Sequence, residues 1–414
     1  MSNVPKLRFK EFSGEWEEKR YGDIYSFYST NSLSRDKLNY ENGLVKNIHY
    51  GDIHTKFNTM FDIQNEKVPY INSEIDLSKI KEESYCLDGD LVIADASEDY
   101  KDIGKTIELV NLNNEKIIAG LHTFLARPNK YDMALGFTGY LLQSWKIRKQ
   151  VMTIAQGTKV LSLSTGRLSN INLNIPQKPE QEKIASFLTS INIKIEQLRK
   201  KESLLKEYKK SVLQKIFNQE IRFKTDEGSE FCDWKDKNLG ELTKINQGLQ
   251  IAISERLTEQ DKESYFYITN EFLKSNSDKK YFIKNPSKSV LCYENDILMT
   301  RTGNTGQVVT NVNGAFHNNF FKINYLKNFN KDFLVYYLRL PITQNMIMRY
   351  AGASTIPDLN HSDFYRLKIQ LPSIEEQNKI AIFLSSIDGK IEKIEKQIEQ
   401  TKMFKKALFQ QILI

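Results

Sequence analysis

The sequence predicts an α+β protein: two similar mixed α/β domains separated by two long helices that form an antiparallel coiled coil, with an internal pseudo-twofold repeat. Three observations carry this expectation. A 25-residue stretch occurs twice, each copy opens a long apolar stripe with seam spacing, and short β-rich runs punctuated by turn residues precede each copy. At 414 residues the chain exceeds one ordinary core. The expected organisation is a first globular domain over 1–176, a central helix over 177–218, a second globular domain over 219–372 and a distal helix over 373–414.

The repeat comes first because it dictates architecture. PQKPEQEKIASFLTSINIKIEQLRK begins at Pro176 and PSIEEQNKIAIFLSSIDGKIEKIEK at Pro372; 14 of their 25 aligned positions are identical, at an offset of 372 − 176 = 196. The match extends upstream through Ala155/Ala351, Leu163/Leu359 and Leu168/Phe364, and downstream through Lys209/Lys405, Lys210/Lys406 and Gln214/Gln410. Earlier, Trp16, Gly22, Asp23 and Ile24 pair with Trp234, Gly240, Glu241 and Leu242 at 218, and YCLDGDLVIA from Tyr85 pairs with LCYENDILMT from Leu291 at 206. Leu121-His122 matches Phe316-His317. The first half therefore carries 218 − 196 = 22 additional residues between Ile24 and His122. Insertions accumulate in surface loops, where binding residues also concentrate, so one scaffold presents two different sets of loops.

Each repeat copy reads as a helix. Spacing of four and three from Ile184 selects Leu188, Ile191, Ile195, Leu198, Glu202, Leu205, Lys209, Val212 and Ile216, of which the polar members are Glu202 and Lys209. The equivalent register from Ile380 selects Leu384, Ile387, Ile391, Ile394, Ile398, Thr401, Lys405, Leu408 and Ile412. Lys, Glu and Gln fill most other positions, as a coiled-coil seam requires. Pro176 and Pro179, or Pro372, precede a glutamate in the first turn, where it complements the helix dipole. The run from Ile184 to Phe217 spans roughly 50 Å. Its apolar stripe is either the seam with the other helix or a face packed on its own domain; the length favours the seam.

The globular halves read as mixed α and β. LVIA from Leu91, TIELV from Thr106, SVLCY from Ser289 and QVVTNV from Gln307 are strand candidates; GYLLQSWKIRKQ from Gly139 and FLVYYLRL from Phe333 are helical. Polar SGEWEE and FKTDEGSE mark the entries, and 217–230 is the expected junction.

Composition narrows the chemistry. Hydrophobic residues make up 40% and charged residues 27%, ordinary for a globular protein, and no apolar run reaches membrane-spanning length. The start, MSNVPKLRFK, lacks the apolar core of a signal peptide. Cys86, Cys232 and Cys292 form no CxxC pair and are odd in number, so neither a disulfide framework nor a zinc site is indicated, and a cytoplasmic location fits. A net charge of +7 suits a polyanionic partner. Neither FTG at Phe137 nor NPS at Asn285 supplies a methyltransferase loop. GKT at Gly104 lacks the leading glycine of a P-loop, because Asp99 stands there. His49, His54, His122, His317 and His361 have no metal-ligand spacing, and His122 and His317, equivalent in the repeat and in apolar settings, read as structural histidines. No catalytic residue, cofactor site or metal site is expected.

A half built from Trp…Gly-Asp-Ile, a Gly-Asp-Leu-Val-Ile-Ala strand, and Pro…Glu-Gln-x-Lys-Ile-Ala-x-Phe-Leu opening a long helix, all given twice, resembles the specificity subunit of type I restriction-modification enzymes. The resemblance covers essentially the whole chain, and its sharpest motif is duplicated at Glu180-Gln181 and Glu376-Gln377. One departure is Glu294-Asn295-Asp296 in place of the second Gly-Asp turn, with Asn tolerated there. The resemblance implies two target-recognition domains that each read one part of a split double-stranded DNA sequence. It also implies helices that act as a ruler and dock two methyltransferase subunits, restriction-translocation subunits in the full complex, and no catalytic role. The rival is a coiled-coil interaction scaffold that reads no DNA.

The resemblance does not transfer reading residues, so contacts are nominated by chemistry. In TRTGNTG, from Thr300 to Gly306, Arg301 suits a bidentate bond to guanine and Asn304 one to adenine, with Thr302 beside them. In DASEDYKDIG, from Asp95, the contacts are Tyr100 and Lys101. The equivalent turns at Gly157 and Ala353 offer Thr158, Lys159, Ser354 and Thr355 to phosphates. Asn31, Arg35, Lys46 and Gln247 complete the set.

Overall fold

The computed structural model describes residues 3–129, 133–274, 277–352 and 355–413. The chain divides into two compact units, Met1–Arg199 with Lys396–Ile414, and Lys200–Glu395. Each encloses its own apolar core and carries the same sheet plan.

In the first unit a five-stranded sheet runs in the order Tyr25–Tyr28, Thr123–Pro128, Leu91–Ala94, Thr106–Asn111, Met60–Asp62. All neighbours are antiparallel except the last pair. In the second unit Thr243–Gln247, Phe320–Tyr325, Ile297–Thr300 and Val308–Val309 repeat the first four strands in the same order. The fifth strand falls in the stretch where the first half carries its additional residues. A second sheet recurs too: Lys46–Ile48 pairs in parallel with Ile117–Ala119, as Tyr267-Ile268 does with Ala315-Phe316. A short ladder joins each unit's entry to the strand before its helix, Glu17–Arg20 with Asn172–Ile175 and Lys235–Asn238 with Lys368–Leu371.

The long helices are Lys178–Phe217 and Ile374–Ile412. Pro179 lies inside the first turn, where its missing N–H has no intrahelical partner to lose. Ile184, Leu188, Ile191 and Ile195 share one core with Trp16, Phe137, Leu141, Leu408 and Ile412 in the first unit. Val212 and Ile216 share another with Trp234, Phe333, Ile380 and Leu384 in the second. Each helix start is therefore part of a domain core, and residues from the far end of the other long helix belong to that same core.

What pins each helix start is a buried carboxylate. Arg8 donates from Nε and Nη2 to the two oxygens of Glu180, at 2.8 and 2.7 Å. Arg222 does the same to Glu376, at 2.8 and 2.9 Å, and the Trp234 indole adds a bond of 3.0 Å. The neighbouring glutamines close the turn: Gln181 donates to the Pro176 carbonyl and accepts from the Ala134 amide, while Gln377 bonds Pro372 and Asn330. All four side chains are buried, which explains why Glu-Gln stands in both repeat copies. The arginines that partner the two glutamates, Arg8 and Arg222, lie in the polar segments that precede each entry strand. Arg222 falls within the stretch expected to be a mere junction.

Three local expectations change. The helical patch at Gly139 is two helices, Phe137–Leu141 and Trp145–Ile154, because Ser144 adopts an extended conformation between them. QVVTNV contributes only Val308–Val309 as strand. His122 is half exposed with a φ of 54°, whereas His317 accepts from the Asn319 amide and burial pushes its pKa down to about 4. No helix among the described residues is long and apolar enough to cross a membrane.

Two predictions rest on these packing facts. Arg222→Ala leaves the Glu376 carboxylate buried without its cation and should lower unfolding free energy by about 3 kcal/mol in denaturant titrations. Glu108, buried on strand Thr106–Asn111, accepts from the amides of Gly136 and Gly139 at 2.6 Å, yet burial raises its pKa to about 7. An acid whose folded pKa is raised favours folding most below its unfolded pKa and loses that contribution as pH climbs through the folded one. Stability should therefore fall between about pH 4.5 and pH 7.5, by on the order of 3 kcal/mol. Glu108→Gln should flatten that limb of the stability–pH curve.

Candidate nucleic-acid interface

In the second unit, strand Ile297–Thr300 runs into the Arg301–Gly306 loop. Thr300, buried, holds both ends: its hydroxyl donates to the Asn304 carbonyl and accepts from the Gln307 amide at 2.9 Å. Gly303 and Gly306 both have φ of 89°. A Cβ on Gly303 would lie 2.1 Å from Nδ2 of Asn270, which donates to the Thr302 carbonyl, so the loop requires glycine there. A second segment straps the loop from the side. The Leu359 amide donates to the Arg301 carbonyl at 2.9 Å, and the Thr305 hydroxyl donates to the Pro357 carbonyl at 2.7 Å.

Within this frame Arg301 is not a free surface arginine. Its Nε and Nη2 donate to the Asp358 carboxylate at 2.8 and 2.6 Å. Behind it, Gln247 Oε1 faces Nη1 at 3.4 Å and His361 Nε2 at 2.7 Å, while Gln247 Nε2 donates to Asn318. Burial, then the proximity of Arg301, lowers the pKa of His361. Asn304 and Thr355 are exposed and Thr302 is half-buried; Ser354 lies outside the described residues.

The first unit builds the equivalent place differently. Ala96-Ser97, expected as loop, forms a two-residue strand against Leu161-Ser162. Asp95 accepts the Leu163 amide on its carbonyl and meets His122 Nδ1 at 3.2 Å. The His122 ring packs edge-on to Tyr50, which also contacts His49 and His54. Tyr100 and Lys101 stand exposed at a turn anchored by Arg148, which donates to the carbonyls of Lys101 and Ile103. Thr158 and Lys159 stand exposed on the adjoining hairpin, where Gly157, with φ of 125°, leaves no room for a Cβ against the Val160 carbonyl. The short Ala96-Ser97/Leu161-Ser162 ladder thus brings these four nominees onto neighbouring loops.

The remaining nominees are internally engaged. Asn31 donates to the Ala119 carbonyl at 2.8 Å and accepts from Leu33 and Asn47. Lys46 pairs with Glu115 and lies over the Tyr70 ring. Arg35 pairs with buried Asp52 at 2.8 Å but leaves close to half of its side chain exposed. Asp358 and Tyr50, which sequence reasoning did not single out, are supplied by other segments, as is His361, read there only as lacking metal-ligand spacing. The repeat alignment sets Asp358 opposite Ser162 and Arg301 opposite Asp95, the one sequence signal that could have drawn them together.

These placements separate by experiment. Asn31→Ala should cost about 1–2 kcal/mol of stability, because it leaves buried partners unsatisfied. Asn304→Ala and Lys159→Ala should leave the unfolding midpoint unchanged. If Lys159 meets a phosphate, its loss should reduce the slope of log affinity against log salt by about 0.9.

The type I restriction modification DNA specificity domain matches the chain twice, over residues 13–207 and 232–402. The type I restriction enzyme MjaVIII specificity subunit of Methanocaldococcus jannaschii is 28% identical over 182 residues, 44% of this chain and 42% of that protein. The putative type I restriction enzyme MjaX specificity subunit of the same organism is 25% identical over 424 aligned positions, 99% of this chain and 96% of that one. Among solved structures, the type I restriction-modification S subunit from M. genitalium superposes with a TM-score of 0.60 at 14% identity, covering 99% of both chains. A chain from a structure concerned with complex assembly and conformational transition of the type I R-M system gives 0.56 at 16% identity, covering 96% of both. With the domain matched twice over most of its length, the chain belongs to the type I restriction-modification DNA specificity family.

Proposed function

We propose that this chain is the non-catalytic subunit that selects the DNA target of a type I restriction-modification complex. The domains over 1–176 and 219–372 each read one part of a bipartite double-stranded site. The helices over 177–218 and 373–414 set the distance between the parts and dock two methyltransferase subunits, with restriction-translocation subunits joining the full assembly. The observation that carries this reading is the duplicated scaffold with unlike loops: Arg301 and Asp358 in one half stand where Asp95 and Ser162 stand in the other. Base readers in the second domain are Arg301, Thr302 and Asn304, backed by Gln247, with Ser354 and Thr355 toward phosphates. In the first domain Tyr100, Lys101, Thr158 and Lys159 face DNA, and Arg35, Asn31 and Lys46 shape the surface beside them.

The two helices pair as an antiparallel coiled coil about a pseudo-twofold axis. Support comes from inside each unit: Lys209 pairs with Asp388 and Lys206 with Glu395 in one, and Leu408 and Ile412 join the core of Ile184 and Leu188 in the other. Paired this way, the seam fixes the spacing of the two readers.

The ruler is tested by inserting one heptad into each helix at repeat-equivalent points, after Lys201 and after Gln397. Seven residues add about 10.5 Å, equal to roughly three base pairs of rise. Methylation mapping in a host carrying the whole complex should return the same two half-sites with a spacer longer by about that amount. Altered half-sites with the old spacer would reject the ruler, and wild-type methylation or binding without sequence preference would favour a scaffold that reads no DNA.

A further inference from the structure

We infer that Arg301, oriented by Asp358 as a positioning residue, reads one guanine in the half-site of the second domain. The inference rests on the DNA-reading function proposed above and adds a base identity and a mechanism.

A guanidinium has five N–H groups in a rigid plane. Asp358 takes Nε–H and one Nη2–H side-on, at 2.8 and 2.6 Å. Among the described residues, the opposite edge, formed by the second Nη2–H and the Nη1 hydrogens, carries only the long 3.4 Å approach of Gln247 Oε1. That edge is the fork that matches O6 and N7 of guanine. The plane is fixed by the carboxylate and approached by Gln247, itself held on His361 and Asn318, while the Leu359 amide on the Arg301 carbonyl fixes the backbone beneath it. Pre-organisation lowers the ordering cost of forming two parallel bonds.

Charge decides between a base and a phosphate. The Arg301–Asp358 pair has no net charge, and Asp358 is about half exposed, so an approaching phosphate meets a carboxylate as well as a guanidinium. Neutral acceptors on a base edge carry no such repulsion, and the fork supplies direction. In the first domain the equivalent residues, Asp95 and Ser162, provide no fork, so this guanine belongs to one half-site only.

The test uses the complex of the full chain with its methyltransferase subunits, once wild-type methylation has defined the target. Competition binding is measured on duplexes in which each guanine in turn is replaced by 7-deazaguanine, which lacks the N7 acceptor. One guanine, in one half-site, should weaken wild-type binding by about 5- to 150-fold. The Arg301→Ala complex should lose a similar factor on the native duplex and be indifferent to 7-deazaguanine at that position. Asp358→Asn should weaken discrimination at the same base, and the double variant should be no weaker than Arg301→Ala. Uniform loss by Arg301→Ala on every sequence would make it a phosphate contact and overturn the inference. So would an effect of Asp358→Asn at another base, or indifference of the wild type to every replacement. If Arg301→Ala does not assemble, the 7-deazaguanine profiles of wild type and Asp358→Asn decide alone. Absence of sequence preference in the wild-type complex would instead reject the underlying DNA-reading function.

Discussion

A carboxylate buried at the first turn of each long helix is the constraint on which the rest depends. An isolated ionised carboxylate in an apolar interior is prohibitively costly, so Glu180 and Glu376 require compensation at once from a cation and from oriented N–H groups. Arg8 and Arg222 provide the cation from the segments that open each domain, roughly 150–170 positions away in the chain. The helix start, the entry segment and the end of the last strand are thereby joined at one point, and Gln181 and Gln377 extend the joint to the helical layer through Ala134 and Asn330. A pair of this kind adds little to stability compared with apolar packing, but breaking it is expensive. It therefore specifies geometry more than it adds free energy. The two copies are not identical. Trp234 donates to Glu376, whereas the indole nitrogen of Trp16 is buried with no partner among the described residues.

Fixing the scaffold this tightly leaves the loops at the sheet ends free to differ. The same position after the strand that carries Leu-Val-Ile-Ala or Ile-Leu-Met-Thr holds Asp95 in one unit and Arg301 in the other. The partner that each recruits comes from a different segment, His122 in one case and Asp358 in the other. The surrounding backbone hydrogen bonds are nonetheless equivalent, with Leu163 N–H on the Asp95 carbonyl and Leu359 N–H on the Arg301 carbonyl. Side-chain chemistry has changed over an unchanged backbone strap, as a reader that must acquire new specificity without refolding would require.

The duplication, the two helices and the principal strands were legible in the sequence because each is written in local or periodic patterns. Apolar residues at seam spacing, Leu91–Ala94 and its partner strand, and the doubled Glu-Gln all leave marks within a short window. The candidate site was legible only in part. Exposure of Tyr100, Lys101, Thr158, Lys159 and Asn304 follows from their turn context, but the engagement of Asn31, Lys46 and Gln247 depends on partners far along the chain. Nothing local to Arg301 announces Asp358, 57 residues later, and nothing local to Arg8 announces Glu180, 172 residues later. His122 illustrates the same limit through the backbone, since its positive φ turns it out of the apolar setting its neighbours suggest.

On the proposed reading, the pairing of Arg301 with Asp358 also bears on how such a loop would stay selective in the absence of its target. A lone arginine on a basic chain attracts any polyanion, and that non-specific term grows with each uncompensated cation. An arginine neutralised side-on by a carboxylate contributes little to that background yet keeps the N–H groups that the carboxylate does not engage. Discrimination then arises from whether both N–H groups find acceptors, since a base lacking them leaves polar groups unpaired at a desolvated contact. Asn304 beside it is exposed and uncharged, and glycine at 303 lets the loop lie against the side-chain amide of Asn270.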